Sequence, residues 1–176
     1  MNPWLRKLAL TAHVAASVGW FGAVVVFAAL SVIGLVAEDP QTVRGAYLVM
    51  EPAARFGLVP LALASLLTGL IQSLGTTWGL FRHYWVVFKF VITVFATVVL
   101  LTYLRTFRAM ARVAADAANE LVAVRNASPA LHAILALLVL LVAMVLAVYK
   151  PRGLTPYGQR KQRALVRSKT AERGAG

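Results

Sequence analysis

The sequence predicts an all-α protein, an integral membrane four-helix bundle, and three observations lead there. Of 176 residues, 60% are hydrophobic and 14% are charged, with a mean hydropathy of +0.76. Four apolar runs each reach the roughly 20 residues that a helix needs to cross a bilayer. Charges gather mostly between and after those runs. With no cysteine, disulfides, thiolate metal sites, iron–sulfur clusters and c-type haem attachment are excluded.

The first span is read over residues 8–36. Met1 to Lys7 resembles the start of a signal peptide, but the apolar run that follows is far longer than a cleavable h-region of about 7–15 residues, so a retained span is expected. It stops at Glu38-Asp39-Pro40, charges followed by a helix breaker. Residues 41–54 form a polar connection, part helical. The second span covers 56–74, with Pro60 near its start, where proline is best tolerated. After a turn over 75–79, the third span runs from 84 to 104. The alanine-rich, proline-free segment Arg105–Asn126 reads as its helical extension outside the hydrocarbon. Ser128-Pro129 opens the fourth span, 130–149, with serine as N-cap and proline in the first turn. Residues 1–151 thus form one transmembrane domain, and the basic tail 152–176, poor in apolar residues, is expected to be disordered.

Four spans put both termini on one side. Of the 18 lysines and arginines, Arg44, Arg55, Arg105, Arg108, Arg112 and Arg125 fall in the two opposite connections and the rest lie toward the terminal side. Cytoplasmic loops are enriched in Lys and Arg, so both termini are expected in the cytoplasm. The net charge of +12 is accounted for by topology and by anionic headgroups of the lipid bilayer, so no nucleic acid is expected as partner.

Lys89 is the residue that most needs a reason, since a lysine at mid-membrane costs roughly 3 kcal/mol on insertion scales. Trp85, Lys89, Thr93 and Ala96 share a helical face. His13, about five residues into the first span, lies at the same depth as Lys89, about five residues into the third. It shares a face with Ala16, Ser17 and Trp20, and Gly19, Gly22 and Ala23 thin the same helix so that a neighbour or flat ligand can approach. His132 opens the fourth span on the opposite side, so it cannot share one haem with His13; His83 reads as interfacial. The bland readings are a packing histidine, a lysine that snorkels to the headgroups, and Trp20, Trp78, Tyr84 and Trp85 as interfacial belt aromatics. Arg55 with Glu51 reads as a structural ion pair or lipid contact. No nucleophile–base pair, phosphate-binding glycine loop or methionine-rich copper site is present.

The order of short motifs carries a resemblance. His13 is followed by Trp20-Phe21-Gly22, Arg55 and Pro60 open the second span, the third holds Trp85-x-x-x-Lys89, and the fourth begins near Pro129 and ends in Lys150-Pro151. In this the chain resembles the HemJ-type protoporphyrinogen oxidases and the copper-resistance D-like membrane domains, and most nearly the short bacterial four-span proteins of unknown function allied to them. The resemblance covers most of residues 8–151. It implies haem b, with His13 and Lys89 as iron ligands, Trp20, Trp85 and Arg55 as further cofactor contacts, and porphyrin or quinone as small-molecule partner. Ala127-Ser128 stand where Asn-Glu usually precedes the fourth-span proline, which weighs against the oxidase activity and leaves haem binding as the expectation. The expectation is therefore an inner-membrane haem protein of electron transfer or porphyrin oxidation, possible as a homo-oligomer. The alternatives are a cofactor-free accessory membrane protein that binds a partner or lipid, and, more weakly, copper or small-solute transport.

Overall fold

The computed structural model describes residues 2–76, 79–120, 122, 125 and 127–174. They form helices α1 (Pro3–Val36), α2 (Pro40–Ala53), α3 (Val59–Gly75), α4 (Tyr84–Ala115), α5 (Ser128–Tyr149) and α6 (Pro156–Gly174), with no strand among the described residues. Four helical runs are long and apolar enough to cross a membrane: α1, the run Pro40–Gly75, α4 and α5. α1 packs against α3 and α5, and α4 packs against the same two, so α1 and α4 stand diagonally across the bundle. The space between them decides where a site can form.

Burial follows the rule for lipid rather than for water. Large side chains such as Val18, Phe88, Phe95, Leu138 and Val148 face outward, whereas Ala16, Ala62, Ser65, Thr93, Thr97 and Ala143 are buried. Helices in hydrocarbon gain little by hiding apolar surface from one another, and small residues let their backbones approach.

α1 and α4, of 34 and 32 residues, are about 50 Å long and exceed a hydrocarbon core of about 30 Å. Beyond the bundle, at the end away from the chain termini, α2 lies against both of them. There Val43, Tyr47 and Met50 of α2, each at most 1% exposed, meet Phe27 of α1 and Phe107 and Met110 of α4. Phe107 packs on Phe27 and Tyr103, each with ring centroids 4.8 Å apart. The Tyr47 ring lies so close to α1 that a Cβ at Gly34 would stand 3.1 Å from it.

The connection expected over 41–54 is helical almost throughout. From Pro40 the chain stays helical to Gly75, through a wider π-helical turn at Ala54–Leu58 in which the Val59 N–H donates to the Ala54 carbonyl. Pro60 has no N–H to give the Phe56 carbonyl, and the widened turn absorbs that gap without breaking the helix.

The extension expected over Arg105–Asn126 is helical only to Ala115, and Leu121, Ala123, Val124 and Asn126 lie outside the described residues, as does Trp78. The stop is made by tertiary contact. Arg44 of α2 donates from Nη1 to the carbonyls of Ala114 (3.0 Å) and Asp116 (2.6 Å), and from Nη2 to those of Ala117 (3.2 Å) and Asn119 (2.8 Å). A guanidinium placed on a helix C-terminus satisfies orphan carbonyls and complements the dipole. Arg44→Ala is expected to destabilise the protein by about 2 kcal/mol and to raise amide exchange in the last turn of α4 before that in α5; equal exchange in both helices would refute this.

α2 is capped by Asp39, whose carboxylate accepts from the Thr42 hydroxyl (2.7 Å) and the Thr42 N–H (2.8 Å). Those bonds, the hydroxyl first, hold the Asp39 carboxyl below its usual range. A depressed folded-state value contributes stability that is present above the unfolded value near 3.8 and lost as pH falls through the folded one. Exchange at the α2 N-terminus is therefore expected to rise only below about pH 4, and Asp39→Asn to remove that pH dependence.

The tail, expected to be disordered, forms α6 over Pro156–Gly174. It starts from a built joint. Lys150 takes the left-handed conformation (φ 44°) after α5, Tyr84 N–H donates to the Gly153 carbonyl (3.3 Å), and Thr155 N–H donates to the Arg82 carbonyl (3.0 Å). The Thr155 hydroxyl donates to the Phe81 carbonyl and accepts from Gly158 N–H (3.1 Å), acting as the N-cap. Gly158 is obligatory, because a Cβ there would lie 2.3 Å from the Arg82 carbonyl oxygen. The polar composition of the tail hid a helix whose first turn is held by contacts distant in sequence.

Candidate functional site

Toward the end that carries the termini, α1 and α4 leave a cavity of about 710 Å³. That lies within the range of small-molecule sites. Its walls include Trp20, Phe21, Trp85 and Phe90, with a polar row on α3 and three cations, Arg6, Lys7 and Lys150, at its margin. No carboxylate lines it among the described residues.

His13 of α1 and Lys89 of α4 reach into this space from opposite corners, and His13 Nε2 lies 3.4 Å from Lys89 Nζ. The other ring nitrogen fixes the tautomer. His13 Nδ1 is 3.1 Å from the Ser65 carbonyl, which can only accept, and 3.1 Å from the Thr68 hydroxyl, whose own proton goes to the Ala64 carbonyl. Nδ1 therefore carries the hydrogen in the neutral ring, and the Nε2 lone pair points at the Lys89 amine. An imidazole held this way, with its far nitrogen bonded to a backbone carbonyl, has the orientation found in metal-ligating histidines.

Gly69 makes the arrangement possible. A Cβ at that position would stand 3.0 Å from His13 Cε1, so the ring lies against α3 as closely as a glycine there allows without the ring giving way. Ser17 and Ser65 join α1 to α3 one turn further on, with hydroxyls 2.8 Å apart. Thr93 and Thr97 return their hydroxyl protons to the carbonyls of Lys89 and Thr93 on their own helix. Gln72 borders the cavity, and its side-chain nitrogen is buried with no hydrogen-bond partner.

The structure thus brings together His13, Lys89, Trp20 and Trp85. Trp20, 3% exposed, sits inside the bundle rather than in an interfacial belt. Arg55 is not brought to them: it lies in the π-helical turn between α2 and α3, 2.6 Å from Glu51, with Arg108 on the same carboxylate at 3.9 Å. The reason is register, since Arg55 sits in the π-helical turn at the middle of the Pro40–Gly75 run, ten residues before Ser65, and it is Ser65, Thr68 and Gly69 that meet His13. His132 also belongs to the far end, where Nδ1 is 2.8 Å from the Ser128 carbonyl and the ring lies 4.3 Å from that of Tyr103. Sequence reading passed over Ser65, Thr68, Gly69 and Gln72. Their spacing of three, four and seven inside an apolar span marks one polar helical face, and that face is the signal. Among the described residues no three His, Asp or Glu side chains converge as a metal site.

Fold and cavity together define a multi-pass, all-α membrane bundle with a polar chamber between diagonal helices. No protein-family model, curated protein or solved structure matches the chain.

Proposed function

We propose that this chain binds haem b in the chamber between α1 and α4 and serves electron transfer or porphyrin oxidation, with a quinone as the class of redox partner. The observation that carries the reading is the fixed tautomer of His13, whose Nε2 is presented to an aromatic-walled cavity. The residues present fit the group: an imidazole donor, indole and phenyl faces for a flat macrocycle, and a cation for its carboxylates. Haem would supply one-electron chemistry there. His13 would hold it, with Ser65 and Thr68 fixing the ring. Lys89, at present on Nε2, would swing aside on its four-carbon stem, either to act as second ligand or to neutralise a propionate. Trp20 and Phe21 would exclude water. The concentration of basic residues at the terminal end, with Glu38, Asp39, Glu51, Asp116 and Glu120 all toward the other, supports cytoplasmic termini in a bacterial inner membrane.

The test is a dithionite-reduced minus oxidised spectrum of the purified protein after haem supplementation. Soret and α bands are expected, and His13→Ala is expected to abolish them with helicity unchanged. Wild-type protein without either band would end the proposal.

One observation favours a second reading. His13 Nε2 already accepts from Lys89, so the pair also works as a latch that ties α1 to α4 without any cofactor. In that case His13→Ala lowers thermal stability and no spectrum appears in any variant.

A further inference from the structure

The cavity has an exposed rim on its α1 and α5 side. Where α3, the turn after it and α4 line it, Ser65, Ser73, Leu80, Val86 and Thr93 are buried. On the α1 and α5 side, lining residues also show much of their surface to the outside: Val14 is 50% exposed, Val18 59%, Met144 41% and Val148 70%. A side chain that borders a cavity and is also half exposed stands at its rim. α1 and α5 pack at mid-bundle, where Trp20, Val24 and Phe27 share a core with Ala133 and Leu140, and they part toward the terminal end. The opening is therefore lateral, and its apolar rim faces hydrocarbon.

At the terminal end of this opening stand Arg6 and Lys7, in the first turns of α1, and Lys150, just past α5. Cations at the interface above an apolar cleft match an acidic headgroup above an acyl chain. We propose that the α1–α5 cleft binds an acidic membrane lipid, its phosphate against Arg6, Lys7 and Lys150 and one chain laid between Val14, Val18 and Met144 toward Trp20. This site shares the cavity and Trp20 with the haem reading but uses neither His13 nor Lys89, so it stands whether or not haem binds.

The test uses the full chain with Trp20 as its only tryptophan (Trp4→Phe, Trp78→Phe, Trp85→Phe), reconstituted in phosphatidylcholine vesicles. Phosphatidylglycerol brominated on its acyl chains is added, and Trp20 fluorescence is compared with that in the same unbrominated lipids. Trp20 is 3% exposed, so bulk lipid has little contact with it, and quenching that saturates and selects one headgroup reports lipid in the cleft. Saturable quenching at low mole fraction is expected with brominated phosphatidylglycerol and not with brominated phosphatidylcholine. The triple variant Arg6→Gln, Lys7→Gln, Lys150→Gln is expected to lower that preference at least about fivefold. Equal quenching by both lipids, quenching that rises linearly without saturation, or no quenching by either overturns the proposal. No haem is present in this assay, so its outcome is separate from that of the absorbance spectrum.

Discussion

Gly69→Leu is expected to weaken haem binding at least about tenfold while the helical bundle remains. The first atom of any side chain at this position already stands 3.0 Å from His13 Cε1. The three further heavy atoms of leucine add to that crowding beside the imidazole. Overpacking costs about 1–3 kcal/mol when neighbours can shift, which corresponds to roughly 5- to 150-fold in an equilibrium. On the proposed haem site the neighbour that shifts is the residue that would hold the iron. As the ring leaves α3, Nδ1 loses the Ser65 carbonyl that fixes its tautomer. Gly22→Ala is the control: no atom lies within 4 Å of a Cβ at Gly22, so that variant is expected to bind as wild type does. The reading is the titration of the Soret band with haem, alongside far-UV circular dichroism. Unchanged affinity in Gly69→Leu would show that haem does not use His13.

Phe107→Ala is expected to be the most destabilising single truncation outside the chamber, by about 3–4 kcal/mol. Its ring is 4% exposed, contacts Phe27 and Tyr103, and lies where α2 covers the projecting ends of α1 and α4. α1 and α4 are longer than a hydrocarbon core of about 30 Å, and with this end taken as the part that projects past it, burial of apolar surface from water adds to packing there. Phe95→Ala makes the contrast. Phe95 lies on the same helix but is 65% exposed on the outer face, and its truncation is expected to cost under about 1 kcal/mol. Differential scanning of the two variants in detergent should separate them by about 10 °C. Equal midpoints would mean that the α2 cap adds nothing to the stability of the bundle.

The bundle was legible because hydrocarbon forces a simple code: long apolar runs become helices, whatever their partners. The depth match between His13 and Lys89 was legible for the same reason, since rise per residue converts sequence position to depth. Contacts made by residues far apart in sequence were not. Nothing local in Arg44 announces that it caps a helix some seventy residues away. Nothing local in Thr155 and Gly158 announces that they dock on the Phe81–Arg82 turn, so a helix was read as disorder. Pro60 misled in the opposite direction, suggesting a helix start where a π-helical turn carries the helix through. On α3 the polar face was present in the sequence, but without a bulky or charged member it drew no notice beside Lys89. Arg55 drew notice by its charge and its place in the motif order, and register put it at the wrong end.

The unequal helix lengths have an electrical consequence. α5, at 22 residues, spans about 33 Å, and Lys89 stands five residues beyond the start of α4 at the terminal end, about 8 Å inside. A proton or electron that reaches the chamber from that face crosses about a quarter of the membrane field. At about 2.3 kcal/mol per charge per 100 mV across the whole bilayer, the voltage biases that transfer by about 0.6 kcal/mol per 100 mV. An energised membrane would therefore shift the occupancy of a charge at this pair about threefold, with no change in shape.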